Sequence, residues 1–204
     1  MAFGTDCCVE WPISRFDQNM YYMEGPDAQL MGKSYTRHGG FLTDQQLYLF
    51  DNSFFCISDR EAQCMSTNQR NCLEVVYDVL QLQGYTPETL NGAAVGLYMG
   101  DVGSDWHSFT PYASTMHYDP DLSATSVSSA VLPCRLSYVF NMVGPTMTYD
   151  TACSASLVAN HHCMMAMINM KRWGTECEGG VVGGCNSLGP IGFVGNSAAG
   201  MLTQ

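Results

Sequence analysis

Cys153 stands in the run TYDTACSASL, residues 148–157, where a β-branched and aromatic stretch gives way to a long segment of helix formers. Thr148 and Tyr149 favour extended backbone. The small residues Ala152, Ser154, Ala155 and Ser156 let the chain turn sharply and let a substrate approach the backbone. From Ser154 to Met170 there is no Asp, Glu, Lys or Arg, so the helix is expected to be buried, with Cys153 against its N-terminal end. A thiol there meets the positive pole of the helix macrodipole, which favours the thiolate, and backbone N–H groups able to hold a developing oxyanion. That is the setting for covalent acyl transfer to a cysteine nucleophile. The competing reading, a buried structural thiol, suits a cysteine in any apolar stretch. The DTACSASL context favours the nucleophile.

No base for this thiol stands out. His161 and His162 share its helix, but His161 is eight residues on, about 12 Å at 1.5 Å per residue, and a base must lie within about 3 Å of its proton. His161 is therefore expected to be a packing residue, and His162 has no assigned role. His38, His107 and His117 lie in polar or loop contexts. Asp150 reads as a structural carboxylate near the turn, because no histidine intervenes between it and the cysteine. Met164, Met165, Met167 and Met170 read as core filling rather than soft-metal ligands. Gly179, Gly180, Gly183 and Gly184 flank two valines and open no helix, so close packing of a strand against the Cys153 helix is expected and a phosphate loop is not.

Composition narrows the function classes. With 204 residues and 46% apolar content the chain can bury a substantial core. Its 8 basic against 19 acidic residues give a net charge of −11, which argues against nucleic acid and anionic membrane surfaces as partners, since both need a basic patch. The ten cysteines form no CxxC pair, so neither a zinc knuckle nor a thioredoxin motif is supported and no metal or bound cofactor is expected. The chain has no N-x-S/T sequon and no apolar leader after Met1. An intracellular, reducing compartment follows as the expectation, either cytoplasm or an organelle interior such as a plastid. No apolar stretch approaches the roughly 20 residues that span a bilayer.

The elements that must position Cys153 alternate between helix and strand. Residues 1–45 are rich in Gly, Pro, Tyr and Gln without periodicity and read as an irregular surface segment; residues 46–204 read as the α/β portion. Leu73, Val76, Tyr77 and Leu80 fall at helical spacing, with Ser66 or Thr67 to cap the start and Gly84 to end it. A strand is expected over 95–99, a loop over 103–118, a short helix over 123–132 stopped by Pro133, and a turn at Gly144 and Pro145. Then come the strand 146–150, the Cys153 helix and a short strand at Val181 and Val182.

The segment GPTMTYDTACSASLVANHH, residues 144–162, resembles the nucleophile region of the β-ketoacyl synthases, especially the ketosynthase domains of modular-type polyketide synthases. SYTRHGGFL (34–42), FDNSFFCISDREAQCM (50–65), NQRNCLEVVYDVL (68–80), VGLYMG (95–100), CRLSY (134–138) and AAGMLT (198–203) resemble further family motifs in the same order. Methionine and cysteine richness is similar to that of protist, dinoflagellate-like ketosynthases. Two departures stand out: Ser66-Thr67 replaces a usual Asp-Pro pair before the NQR helix, weakening its start signal, and Tyr149 replaces a common valine.

The resemblance implies the N-terminal half of a thiolase-like α/β layered fold, without the family's IAIVGMACRFPG-type opening strand. It also implies that the family's two catalytic histidines lie in motifs not found in these residues. A lone half is expected to expose a sheet face or edge, and so to belong to a longer polypeptide or to be held by a partner. By resemblance Cys153 takes an acyl group from phosphopantetheine on an acyl carrier protein, and decarboxylative Claisen condensation with a malonyl unit follows, as in polyketide or fatty-acid synthesis. A homodimer pairing near the 146–150 strand, or a larger assembly, is implied. Two other readings stay open: a catalytically inactive structural subunit of a larger, possibly organellar, assembly, and a protein that holds acyl thioesters without condensing them.

Overall fold

The computed structural model describes residues 6–104, 120–173 and 177–203, and the chain divides into two units, Met1–Leu47 with Leu188–Gln204, and Tyr48–Ser187. In the first, β1 (Cys8–Glu10) pairs antiparallel with β2 (His38–Gly40). Trp11 is buried, edge-on to Phe16 at 5.6 Å and to Phe193 of the helix Pro190–Ala198 at 5.0 Å. The Ser34 and Ser197 hydroxyls are 2.9 Å apart, and the Tyr35 hydroxyl donates to the Leu202 carbonyl at 2.8 Å. Chain ends far apart in sequence thus close on one aromatic cluster.

The second unit is built on a parallel sheet of β3 (Val95–Ser104), β4 (Thr146–Tyr149) and β5 (Gly179–Ser187), in the order β4-β3-β5. The central strand carries the buried run Leu97-Tyr98-Met99, apolar on both faces because both faces are covered. It runs beyond the expected end at Met99 to Ser104, with an irregularity in its pairing to β5 after Asp101. Among the described residues β4 and β5 each pair on one side only.

One sheet face takes large side chains. Helix α1 (Thr67–Leu82) starts at Ser66, whose Oγ accepts from the Gln69 N–H at 3.4 Å, so the residue that stands in for the family's usual aspartate supplies the cap. Gly84, at φ +84°, ends it: the Tyr85 N–H reaches the Leu80 carbonyl at 3.0 Å and the Gly84 N–H reaches Gln81 at 2.9 Å. Its buried side, Cys72, Leu73, Val76 and Leu80, meets Leu97 and Met99 of β3 together with Leu132 and Leu136 of α2 (Val131–Phe140). Pro133 departs from expectation. It sits in the first turn of α2, where its missing N–H would have had no partner, and the preceding helix Pro120–Ser126 stops without it.

The other face takes small ones. Helix α3 (Ala155–Trp173) covers it, burying Ala155, Ala159 and Cys163, with Ala159 and Cys163 against Tyr98. The expectation that this helix is buried all round is corrected: Leu157 is 70% and Ile168 72% exposed, and Met164, Met165 and Met167 are exposed rather than core. The sheet covers one stripe at i, i+4, i+8, and the lack of charge on the remaining faces reflects something other than burial in this unit.

Candidate active site

Cys153 lies where β4 ends and α3 begins, at the C-terminal edge of the parallel sheet, the usual location of ligand sites in open α/β sheets. A 3-10 turn, Ala152–Ser154, joins the two elements. Ala152 has φ +51°, a left-handed backbone that residues with a Cβ seldom adopt, immediately before the cysteine. The turn is held from both sides. The Asp150 carboxylate accepts from the Ala152 N–H at 3.3 Å, and the Ser154 hydroxyl donates to the Thr151 carbonyl at 2.8 Å. The Cys153 thiol is left exposed at its tip.

Glycines set how closely the turn and helix approach the sheet. A Cβ on Gly100 of β3 would come within 2.7 Å of the Ala155 carbonyl carbon and the Ser156 nitrogen, and one on Gly184 of β5 within 2.7 Å of the Ser156 Cβ. A Cβ on Gly180 would strike the Cys163 sulfur. Gly180 and Gly184, one of each pair in β5, thus do the close packing against the Cys153 helix that was expected of all four, whereas a Cβ on Gly183 would meet Met99 and one on Gly179 the Tyr85 hydroxyl; Gly100 of β3 contributes an equivalent position. Together they let the first turn of α3 rest on the strands.

Asp101 escaped the sequence reading. It is buried within β3, one residue beyond the Gly100–Tyr149 pairing, and feels the charge of Asp150. It accepts from the Gly103 N–H at 2.9 Å and from Asn68 Nδ2 of α1 at 3.3 Å. Burial pushes its carboxyl above the usual carboxylate range, and the Asp150 charge adds to that. A lone aspartate in a stretch of Gly, Val and Ser carries no spacing signal that would have marked it.

The histidines are not brought to the thiol. His161 and His162 are exposed, which corrects the packing expected of His161, and their rings meet edge-on at 5.7 Å. His162 Nδ1 bonds the Val158 carbonyl at 3.0 Å and its ring stacks on Tyr149 at 4.8 Å. His38 lies in β2 near Glu10; His107 and His117 fall outside the described residues. The site therefore presents an exposed thiol, the backbone of a tight turn and two carboxylates, with no base beside the sulfur among the described residues. A cavity of about 670 Å³ lined by Tyr77, Leu80, Tyr85, Leu90 and Phe140 lies at the other end of α1. Cys153 is not among the residues that line it.

The whole chain, residues 1–204, matches the family described as Beta-ketoacyl synthase, N-terminal domain. The chain belongs to the β-ketoacyl synthase family. The polyketide synthase GfsB of Streptomyces halstedii is 38% identical over 205 residues, covering 98% of this chain and 3% of that protein. The hybrid PKS-NRPS synthetase pvhA of Talaromyces variabilis is 38% identical over 199 residues, covering 97% and 5%. Among solved structures, the oxazolomycin ketosynthase domain OzmH KS7 of Streptomyces albus JA3453 superposes with a TM-score of 0.78 at 31% identity, over 97% of this chain and 33% of that one. The module 6 ketosynthase of the bacillaene synthase of Bacillus subtilis 168 gives 0.75 at 29%, over 96% and 30%. This is thus the N-terminal portion of a thiolase-like ketosynthase domain of the polyketide synthase type, spanning about a third of those solved domains. Among the described residues of the ketosynthase chain, no helix is long and apolar enough to cross a membrane.

Proposed function

We propose that Cys153 is the acyl acceptor of a condensing enzyme. The observation that carries this is an exposed thiol on a left-handed, hydrogen-bonded turn at the C-terminal edge of the sheet, within a chain of ketosynthase sequence and fold. The Cys153 thiolate attacks the carbonyl of an acyl thioester carried on phosphopantetheine. Backbone N–H groups at the turn face the oxyanion of the tetrahedral intermediate, and the pantetheine thiolate departs with the electron pair. In the second half-reaction a malonyl thioester loses carbon dioxide, and the resulting carbanion displaces the Cys153 sulfur to give a β-ketoacyl product. The resemblance assigns the stabilisation of that carbanion to histidines in the part of the domain beyond these residues. Acylation is therefore the step to which this chain contributes directly.

An acyl carrier protein is the implied donor. Pairing of β4 on one side only is compatible with a homodimer formed along that strand. The uncharged outer face of α3 is compatible with cover by the rest of a ketosynthase domain. The structural-subunit reading differs in requiring no reactive thiol. Incubation with an acyl thioester of N-acetylcysteamine, read by intact mass, tests the proposal. A single acyl adduct that Cys153→Ala abolishes supports it; a folded protein that takes up no acyl group sinks it.

A further inference from the structure

The last turns of α1 and α2 end at one cavity, of about 670 Å³. Leu80 and Gln81 of α1 and Val139 and Phe140 of α2 line it. Neither helix has a basic residue in its last turn. A helix carries about half a negative elementary charge at its C-terminus, felt within the last turn, so two uncompensated negative poles border the same space. Glu88, in the short helix Pro87–Leu90, lines it as well and is exposed. An exposed glutamate is ionised at neutral pH. No Lys or Arg is found among the described residues of the lining.

The rest of the wall is aromatic. Phe54 and Phe55 come from the turn before α1, Tyr77 from α1, Tyr85 from just beyond its end and Phe140 from the end of α2. Phe54 stands edge-on to Tyr77 at 4.8 Å, Phe55 edge-on to Phe140 at 6.3 Å, and Tyr77 stacks on Phe140 at 6.5 Å. The face of each ring is the negative side of its quadrupole. Phe54 and Tyr85 remain exposed, so the core does not use up their surface. The volume is that of an ordinary small-molecule site. A neutral hydrocarbon would fill such a space and leave the helix poles and Glu88 unanswered; an anion would be repelled by them.

We propose that this cavity binds a small organic cation, a tertiary or quaternary ammonium compound with an apolar body. The ammonium group meets the ring faces, for which a separation within about 6 Å suffices, together with Glu88 and the two helix C-termini. The apolar body packs on Leu80 and Leu90 of the lining. The site does not involve Cys153.

Benzyltrimethylammonium is the probe, titrated by NMR against the 204-residue protein. Its methyl signals should move upfield and saturate, with an affinity that falls as salt rises. Phenethyl alcohol and phenylacetate, neutral and anionic analogues of similar size, should bind about fivefold more weakly or less. Glu88→Gln should weaken the cation by about two- to fivefold, with little change in Tm and none in binding of the alcohol. Cys56 reports the location, because it is exposed and lines the cavity, whereas the exposed Cys134 does not. The cation should slow iodoacetamide labelling of Cys56 and leave Cys134 unaffected. Absence of a saturable shift, equal affinity for the three compounds, or equal protection of Cys56 and Cys134 would overturn the proposal.

Discussion

Gly100 lies beneath Ala155 so closely that a Cβ on the glycine would come within 2.7 Å of the Ala155 carbonyl carbon. The obstructing atom is backbone at the start of α3, so no rotamer change relieves it, and the helix would have to lift off the sheet together with the Cys153 turn. Gly100→Ala should therefore destabilise the fold by about 1–3 kcal/mol, as overpacking does, and slow any reaction of the Cys153 thiol that depends on the turn. Gly195→Ala is the control. That glycine is exposed inside a helix with open space around it, and the substitution should be neutral or raise Tm slightly. Equal Tm changes in the two variants would contradict the packing argument.

Asp101 gives a pH prediction. Burial, with the charge of Asp150 adding to it, raises its carboxyl above the unfolded value despite the Gly103 and Asn68 hydrogen bonds. A raised folded-state value means that the protonated form is the one the fold favours. Its contribution is present below the unfolded value of about 3.9 and is lost as pH rises through the folded value. Asp101→Asn keeps acceptor and shape without the charge, so its Tm relative to the parent should climb as pH rises from about 4 toward neutrality. A difference flat across that window would show that the carboxylate is better accommodated than its burial implies.

Much of this was legible in the chain. The strand, turn and helix around Cys153 could be read from residue types alone. So could the Ser66 start and Gly84 end of α1 and the packing role of Gly180 and Gly184 in β5. What escaped depended on neighbours. Pro133 reads as a helix stop, yet the same missing N–H suits a first turn, and only the chain before it decides between the two. The absence of charge along α3 signals apolar surroundings without saying which faces the sheet covers. Asp101 matters because Asn68 and Asp150 act on it through space, from 33 residues before it and 49 residues after it.

The outer face of α3 should betray itself in solution. Leu157 and Ile168 stand exposed on a helix that has no charge before Lys171. The protein should bind a hydrophobic dye, and Leu157→Gln with Ile168→Lys should reduce that binding at little cost in Tm, because neither side chain is in the core. Undiminished dye fluorescence in the double variant would place the apolar surface elsewhere.

Thiol accessibility orders the cysteines. Cys153 is exposed, Cys72 and Cys163 are buried, and burial pushes the Cys163 thiol up. Iodoacetamide at neutral pH should therefore label Cys153 well before the other two in the folded protein, and all three alike in denaturant. Equal labelling under native conditions would mean that α1 and α3 open as readily as the turn.

The central claim is that the turn at Cys153 accepts acyl groups, and site-resolved acylation measures it most directly. After exposure to an acyl thioester of N-acetylcysteamine, peptide mapping should place the acyl group on Cys153 ahead of the exposed Cys8, Cys56 and Cys134. The preference should disappear in denaturant. Acylation spread evenly over the exposed cysteines, or confined to residues other than Cys153, would contradict the account.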